Sequence, residues 1–306
     1  MGGQADIGGG RRITPEHVER WRQDGYVLVE DFLTPAELEA LQANARTYMP
    51  TWEEFARDPA EYPHLAERPY FVEFPFEGLA LNFASMHPEV VAFAEEMLGT
   101  SELYVTMGHL WGKYAGTIDF DQPLHRDYHN NTLVVPRAEG IYQQIPFMLY
   151  LTDVDLDLSP TCFVAGGDGA DVPPLQAFFP KDAYPELYER ERPLTAPAGS
   201  LLIYDLTTIH RGSAMTASAG VRWTYHFVYR TAGLEWMGWS AWPRIASAPH
   251  MHRLLQAATP EQRSLLGFPR PGDPYWTEET LDGVGWRYPD MDMTPYRQAM
   301  AERGST

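Results

Sequence analysis

The sequence contains only one cysteine, Cys162, among its 306 residues. A single cysteine excludes an intramolecular disulfide and a cysteine-based zinc cage, and it is consistent with a reducing cytosol. Basic residues are also scarce, because 23 Lys and Arg stand against 42 Asp and Glu, for a formal net charge of −19. Such a chain repels phosphate backbones and anionic lipid surfaces, so we expect neither a nucleic acid nor a membrane as a partner.

Long apolar runs are missing as well. No stretch is long enough to span a bilayer, and the opening MGGQADIGGGRR lacks the apolar segment of a signal peptide. We therefore expect a cytoplasmic protein with a flexible tail over residues 1–13. Hydrophobic residues make up 44% of the chain, which is enough for a large core. No linker divides the remainder, so residues 14–306 are predicted to form one domain.

The order of the predicted elements indicates the fold class. Thr14 and Thr34 are placed as N-caps of two helices that flank the strand-like YVLVEDF, and a third helix is predicted from Pro88 to Gly99. Strand-like segments follow between about 100 and 232. This pattern predicts a mainly β protein with α-helices, a double-stranded β-helix of the jelly-roll or cupin-like type, buttressed by N-terminal helices.

The tail, residues 233–306, is expected to wrap this barrel or cover its mouth. It is rich in Pro, Gly, Trp and Tyr and holds one helix-like piece, PHMHRLLQAATPEQRSLLG. Trp236, Trp239 and Trp242 are candidates for a lid over a pocket, although packing against the barrel is the more ordinary role of such residues.

The segment LHRDYHNN places a histidine and a carboxylate two residues apart, at His125 and Asp127. In extended backbone such residues point to the same face, so both could bind one metal ion. The spacing alone is weak, since roughly half an H-x-D match is expected by chance in such a chain. His210, at the end of the apolar run GSLLIYDLTTIH, is the best third ligand. Two histidines and one carboxylate leave open positions for a co-substrate and dioxygen on non-haem Fe(II).

Arg222 opens the strand VRWTYHFVYR shortly after His210. Alternation places Arg222 and Thr224 on one face of this strand. An arginine near a barrel interior is costly unless it binds an anion, and its planar fork suits the far carboxylate of a dicarboxylate. Thr224 or Ser213 could add a hydrogen bond. A co-substrate that needs both an open iron and a carboxylate clamp is 2-oxoglutarate.

Each of these residues also has an ordinary structural interpretation when it is taken alone. His125 and Asp127 could lie in a solvated turn, His210 could be a hydrogen-bonded structural histidine, and Arg222 could lie on the surface. Their order along the chain favours the metal site.

The other residues of the segment are assigned to a rim near the substrate: Arg126, His129, Asn130 and Asn131. Alternation nevertheless points Arg126 away from the ion. Four further histidines favour structural roles, namely His87 at a helix start, His109 near the mouth, and His250 and His252 in the tail. Taken alone, His129 near the mouth also favours a structural role.

Four stretches resemble the phytanoyl-CoA dioxygenase (PhyH) family of Fe(II)- and 2-oxoglutarate-dependent oxygenases. TPEHVERWRQDGYVLVEDFLTPAELEAL is similar to the opening helix, strand and helix of the family, and LHRDYH resembles its H-x-D loop. AGSLLIYDLTTIHRGS is similar to the strand that carries the distal histidine. MLYLTDVDLDLSPTCFVAGGD stands where members of the family have a strand followed by a loop. Within it, SPTCFVAGGD departs from the proline-glycine-serine-histidine sequence that usually ends this loop.

The resemblance implies that His125, Asp127 and His210 bind iron, that Arg222 holds the far carboxylate of 2-oxoglutarate, and that Ser213 assists. It implies Fe(II), 2-oxoglutarate and O2 as cofactors. The expected reaction is hydroxylation of an unactivated C–H bond, with release of succinate and CO2. Related halogenases have a small residue in place of Asp127, so its presence favours hydroxylation.

The expected substrate is a small molecule, such as a secondary metabolite or an amino-acid-like compound, and the high negative charge disfavours a coenzyme A thioester. Desaturation, epimerisation or cyclisation with the same cofactors are alternatives. Two others are a metal-free jelly-roll binding protein and a cupin-like enzyme that uses another divalent ion without 2-oxoglutarate. The sequence indicates no oligomeric state.

Overall fold

The computed structural model describes residues 11–66, 70–117, 121–127, 131–134, 144–172, 176–234 and 237–303. Within these ranges no helix is both long and apolar enough to cross a membrane.

Eleven strands are present in the described parts of the chain, and they form two antiparallel sheets. Their bounds are β1 (Tyr26–Val29), β2 (Tyr70–Glu73), β3 (Leu103–Tyr114), β4 (Leu124–His125), β5 (Gln144–Tyr150), β6 (Thr161–Val164), β7 (Phe178–Phe179), β8 (Arg192–Leu194), β9 (Leu201–Tyr204), β10 (Ile209–Gly212) and β11 (Val221–Thr231). The larger sheet has the order β1-β9-β5-β11-β3-β2, and the smaller has the order β7-β4-β10-β6-β8. Two antiparallel sheets with such crossovers confirm the predicted jelly-roll class.

Helices lie before, between and after the strands. Their bounds are α1 (Pro15–Asp24), α2 (Pro35–Ala45), α3 (Trp52–Arg57), α4 (Pro63–Ala66), α5 (Leu79–Ala84), α6 (Pro88–Leu98), α7 (Pro185–Arg190), α8 (Pro249–Ala257), α9 (Pro260–Ser264), α10 (Glu278–Arg287) and α11 (Thr294–Arg303).

The N-terminal helices begin and end where the capping residues predict. The Thr14 and Thr34 side chains accept hydrogen bonds from the third backbone N–H of α1 and α2. Gly25 ends α1 with φ 80, a left-handed conformation that glycine adopts at little cost. Ile13 is fully buried, so the packed part of the chain begins before the boundary at Thr14 that we expected.

The main hydrophobic core lies on one face of the larger sheet. On β11 the side chains of Trp223, Tyr225, Phe227 and Tyr229 join this core, and the Phe227 ring stacks on Phe147 of β5 at a centroid distance of 5.4 Å. The same core contains residues of α1, α2 and α6 and of the C-terminal tail. The helices therefore cover the outer face of the larger sheet, and the residues that alternate with this core face the smaller sheet.

The described part of the tail contains four helices, α8 to α11, where the sequence predicted one helix-like piece. Trp242 is buried and donates from Nε1 to the Val105 carbonyl at 2.7 Å, and Trp276 and Tyr296 are fully buried. These contacts wrap the tail around the outer core. Trp236 lies outside the described residues. The additional helices α10 and α11 were missed because they contain few large apolar residues, namely Leu281, Val284 and Trp286 in α10 and Tyr296 and Met300 in α11. So few positions give a weak helical periodicity.

Candidate metal centre

His125, Asp127 and His210 meet at one point between the sheets. Strands β4 and β10 pair antiparallel so that His210 lies directly opposite His125. The Asp127 carboxylate follows in the turn after β4, with its Oδ1 atom 3.5 Å from His125 Nε2 and its Oδ2 atom 3.6 Å from His210 Nε2. One potential ligand atom from each residue lies within 4.8 Å of the others. Backbone pairing therefore assembles the trio that the sequence predicts.

Backbone carbonyls orient the two imidazole rings. The Nδ1 atom of His125 lies 2.9 Å from the Pro123 carbonyl, and the Nδ1 atom of His210 lies 3.0 Å from the Thr208 carbonyl. A carbonyl only accepts, so each Nδ1 carries a proton, and each Nε2 is the ring atom that faces Asp127. Such partners fix the tautomer of metal-binding histidines. The donor set fits a divalent metal.

Tyr204 holds the carboxylate of this trio. Its buried hydroxyl, at the end of β9, donates to Asp127 Oδ2 at 2.8 Å. The larger sheet thus contributes a hydrogen bond to a ligand set that the smaller sheet carries.

The environment sets the charges of the three groups. Burial lowers the pKa of His210 to about 4, against the attraction of Asp127. Burial opposes ionisation of Asp127, but His210, His125 and the Tyr204 hydroxyl hold its pKa well below the usual range. For His125, burial lowers the pKa, and the hydrogen bond and charge of Asp127 raise it above the ordinary value. Near neutral pH an ionised carboxylate therefore faces imidazoles, which is the donor chemistry of a two-histidine, one-carboxylate iron site.

A cavity of about 270 Å³ opens beside the trio, and both sheets line it. Arg222 lines the cavity and is buried, and its Nη2 donates to Thr161 Oγ1 at 3.1 Å. Its cross-strand partner Lys113 also lines the cavity and donates from Nζ to Ser159 Oγ at 2.8 Å. Two cationic side chains therefore stand side by side on the cavity wall, where a carboxylate would be attracted.

The two predicted hydroxyl groups have different positions. Thr224 lines the cavity, and its Oγ1 lies 3.0 Å from His226 Nε2. Ser213 is not among the described residues that line the cavity, and its hydroxyl donates to the Pro160 carbonyl at 2.7 Å. Its position does not support the predicted role at a co-substrate. Ser213 instead supports Lys113, whose Nζ donates to the Ser213 carbonyl at 3.1 Å.

The rim prediction was wrong for Arg126. Its buried guanidinium donates to the carbonyls of Thr207 and Gln176, each at 2.8 Å, and stacks over the Phe179 ring. Because Arg126 alternates with His125 and Asp127, its side chain points away from the cavity. Asn131 does line the cavity. His129 and Asn130 lie outside the described residues.

The stretch SPTCFVAGGD contributes a wall of the cavity. Thr161 to Val164 form β6, which pairs with β10 through the register of Phe163 opposite His210. Thr161 reaches Arg222, and the Phe163 ring stacks on His210 at 5.7 Å. Cys162 is buried, and burial raises the pKa of its thiol to about 11, so the thiol is protonated at neutral pH.

Several cavity residues were not assigned to the site from the sequence. They are Met107, His109 and Trp111 of β3 and His226 of β11. Trp239, which we named as a candidate for a lid, also lines the cavity. The alternation in MGHLWGK could have indicated the residues of β3. Every second residue is large or polar and the residues between are small or apolar, which is typical of a strand with one face on a cavity.

Three of the histidines that we expected to be structural, His87, His250 and His252, are not among the described residues that line the cavity. His87 caps α6, because its Nδ1 accepts from the Glu89 N–H at 3.2 Å. His252 lies on α8 and packs against Tyr288 at 4.8 Å, and His250 lies on the same helix.

The sequence profile of the phytanoyl-CoA dioxygenase (PhyH) family matches residues 21–222. No curated protein matches the chain.

Several solved structures share the fold. HygX from Streptomyces hygroscopicus, with nickel, 2-oxoglutarate and hygromycin B bound, is 14% identical with a TM-score of 0.52, over 72% of this chain and 88% of HygX. SnoK, a non-haem α-ketoglutarate-dependent carbocyclase from nogalamycin biosynthesis, is 20% identical with a TM-score of 0.53, over 72% and 84%. The epimerase SnoN, in complex with Fe3+, α-ketoglutarate and nogalamycin RO, is 17% identical with a TM-score of 0.53, over 71% and 83%. At these identities the likeness concerns the fold.

Proposed function

Because the chain belongs to the phytanoyl-CoA dioxygenase (PhyH) family of Fe(II)- and 2-oxoglutarate-dependent oxygenases, we propose that it hydroxylates an unactivated C–H bond of a small molecule. The co-products are succinate and CO2. The observation that carries the proposal is the convergence of His125, Asp127 and His210 in the same cavity as Arg222.

The donor set fits Fe(II). The Nε2 atoms of His125 and His210 and the carboxylate of Asp127 would hold the ion and leave positions open for a co-substrate and dioxygen. When bound, the iron supplies dioxygen activation and the oxidising power that the side chains lack. Tyr204 keeps the carboxylate oriented by its hydrogen bond to Oδ2.

Arg222 and Lys113 bind the far carboxylate of 2-oxoglutarate in this proposal. Arg222 is anchored by Thr161, so its fork needs little reordering to accept the co-substrate. Thr224 stands two residues along the same face and adds a hydroxyl. Burial of these groups excludes water from the reaction and strengthens their attraction for an anion.

Other outcomes of the same oxidation form the second candidate. SnoK is described as a carbocyclase and SnoN as an epimerase, so cyclisation, epimerisation and desaturation compete with hydroxylation as the reaction of this chain. The presence of Asp127 argues against halogenation, because its carboxylate takes the position that a halide would need.

Anaerobic spectroscopy tests the class of the enzyme. Addition of Fe(II) and 2-oxoglutarate should produce a weak metal-to-ligand absorption near roughly 500 nm, and Asp127→Ala should abolish it. Under air, wild type should release succinate. A metal-free binding protein would show neither signal. An enzyme that uses another divalent ion without 2-oxoglutarate would turn over equally well in wild type and Arg222→Ala, and that result would contradict our proposal.

A further inference from the structure

A short segment of the tail, Met237–Ser240, closes one side of the cavity. Its backbone N–H groups donate to the carbonyls of Asn131 and Thr106, each at 2.8 Å. The segment is therefore bonded to both β3 and the chain that follows Asp127. Trp239 lies between the two attachment points, lines the cavity and stands edge-on to the His109 ring at 5.5 Å. The tail thus helps to form the wall in front of the metal centre.

Asn131 lines the cavity at this wall and carries a hydrogen-bond acceptor that has no donor in the described part of the chain. Its Nδ2 donates to the Asp127 carbonyl at 3.0 Å, which fixes the orientation of the amide because a carbonyl can only accept. The opposite atom, Oδ1, is buried and has no hydrogen-bond partner within the described chain. The residue is 5% exposed and lines the cavity. A buried acceptor without a donor is costly, so a ligand that supplies a hydroxyl or N–H group is favoured there.

His109 is a second polar group on the same wall. Its Nε2 is buried without a hydrogen-bond partner among the residues described, and the nearest carboxylate oxygen, Glu73 Oε1, is 3.7 Å away. Burial lowers the pKa of His109 to about 4, so the ring is neutral at physiological pH. A neutral imidazole offers one donor and one acceptor and carries no charge that would select an anion.

The remainder of the wall is aromatic and uncharged. Trp111 is supported from behind by Phe71, with ring centroids 4.5 Å apart, and stands 6.1 Å from the His226 ring. Burial lowers the pKa of His226 to about 3, so this imidazole is also neutral. Of the described residues that line the cavity, the charged ones are Lys113, Asp127 and Arg222. These three are already used by the metal and the co-substrate.

We propose that the wall of Asn131, His109, Trp111 and Trp239 binds an uncharged, planar ring substrate through a hydroxyl or N–H group that donates to Asn131 Oδ1. This inference rests on the proposed function, because the substrate must lie beside the metal. Indole faces attract flat rings through stacking and edge contacts, and the buried polar atoms select a ring that carries a polar hydrogen. An anionic ring would lose its hydration against a neutral wall without gaining a cation.

Four matched fragments test this substrate class: 2-naphthol, 2-methoxynaphthalene, 2-naphthoate and decahydro-2-naphthol. Binding of each to the anaerobic Fe(II) and 2-oxoglutarate complex would be measured by calorimetry. We expect 2-naphthol to bind about 10-fold or more tightly than the methyl ether, which lacks the donor, and than the carboxylate, which is charged. The saturated ring should also bind more weakly, because it cannot stack.

Single substitutions test whether the differences in fragment affinity arise from this wall. Asn131→Ala should bring the affinities of 2-naphthol and its ether to within about threefold, with each affinity measured on protein that shows the absorption of the Fe(II) and 2-oxoglutarate complex. Trp239→Ala should weaken both flat uncharged fragments, whereas Trp286→Ala, at a tryptophan that is 86% exposed, should weaken neither.

The fragment ranking in wild type tests the inference even if a variant fails to fold. Equal or tighter binding of the ether or the carboxylate, or no binding of any fragment to a complex that shows the absorption, would overturn the substrate class and leave the proposed function standing. Absence of both the absorption and succinate release would overturn the proposed function itself.

Discussion

Removal of one hydroxyl group should weaken iron binding without removing any ligand. Tyr204→Phe deletes the hydrogen bond of 2.8 Å to Asp127 Oδ2 and leaves the packing of the ring in place. A hydrogen bond to a charged group contributes about 1.5–3 kcal/mol, which corresponds to about 10- to 100-fold in an equilibrium constant. Loss of partners that orient metal ligands costs a similar factor in metal affinity. We therefore expect the Kd for Fe(II) to rise by about 10- to 100-fold.

The assay is an anaerobic competition between the protein and a chromophoric chelator for Fe(II), repeated with Co(II) to exclude oxidation of the metal. Tyr229→Phe is the matched control, since the hydroxyl of Tyr229 is equally buried but donates to the Ser85 carbonyl at 2.6 Å, on the outer face of the same sheet. The control should lose stability but keep its Fe(II) affinity. A Kd for Tyr204→Phe within twofold of wild type would refute the role of this hydroxyl in holding Asp127.

Three further predictions concern the co-substrate and the N-terminal helices. Arg222→Ala should raise the Kd for 2-oxoglutarate by about 100-fold or more, because a buried anion loses its cation, while Fe(II) affinity without co-substrate stays the same by chelator competition. Ser213→Ala should leave the KM for 2-oxoglutarate within twofold of wild type, because the Ser213 hydroxyl is bonded to the Pro160 carbonyl. A tenfold rise of this KM, measured by succinate release, would support the hydrogen bond to the co-substrate that the sequence predicted. Partial burial opposes ionisation of Glu37, but Arg12 and Thr34 lower its pKa to about 2, below the ordinary value of 4.5. This stabilisation is present above about pH 4.5 and is lost as the pH falls toward 2. Because Glu37 is partly exposed, solvent weakens this effect, and Glu37→Gln should lower the free energy of unfolding by about 1 kcal/mol at pH 7 and by almost nothing at pH 2. Urea unfolding at both pH values measures this difference. An equal loss at both would contradict the role of Arg12 and Thr34 in stabilising the Glu37 carboxylate.

The features that local chemistry determines could be predicted from the sequence. Caps such as Thr14 and Gly25 satisfy backbone groups within a few residues, so the helix ends follow from the residues themselves. The candidate metal ligands His125 and Asp127 were predicted from extended backbone, and His210 from its place at a strand end. Their geometric convergence depends on the pairing of β4 with β10, which the sequence suggests only through the family resemblance.

The features that depend on distant contacts could not be predicted in this way. Ser213 follows β10 closely enough to be placed at the co-substrate, yet its hydroxyl is bonded to Pro160, 53 residues earlier in the chain. The aromatic wall contains Trp111 of β3 and Trp239 of the tail, which meet only after the tail bonds to Asn131. Periodicity identifies which residues share a face, but it does not identify the segment that packs against that face.

The distribution of the site over the two sheets separates its chemical tasks. The smaller sheet carries His125 and His210 on short strands whose register leaves little freedom, since β10 pairs with both β4 and β6. The larger sheet carries Arg222 on β11, and β3 with the tail carries the wall that we assign to the substrate. Changes at Trp111 or Trp239 can therefore alter which molecule is bound without disturbing the ligand geometry. In this arrangement substrate choice can change independently of the oxidation chemistry, because only the Tyr204 hydroxyl links the larger sheet directly to the carboxylate among the described hydrogen bonds.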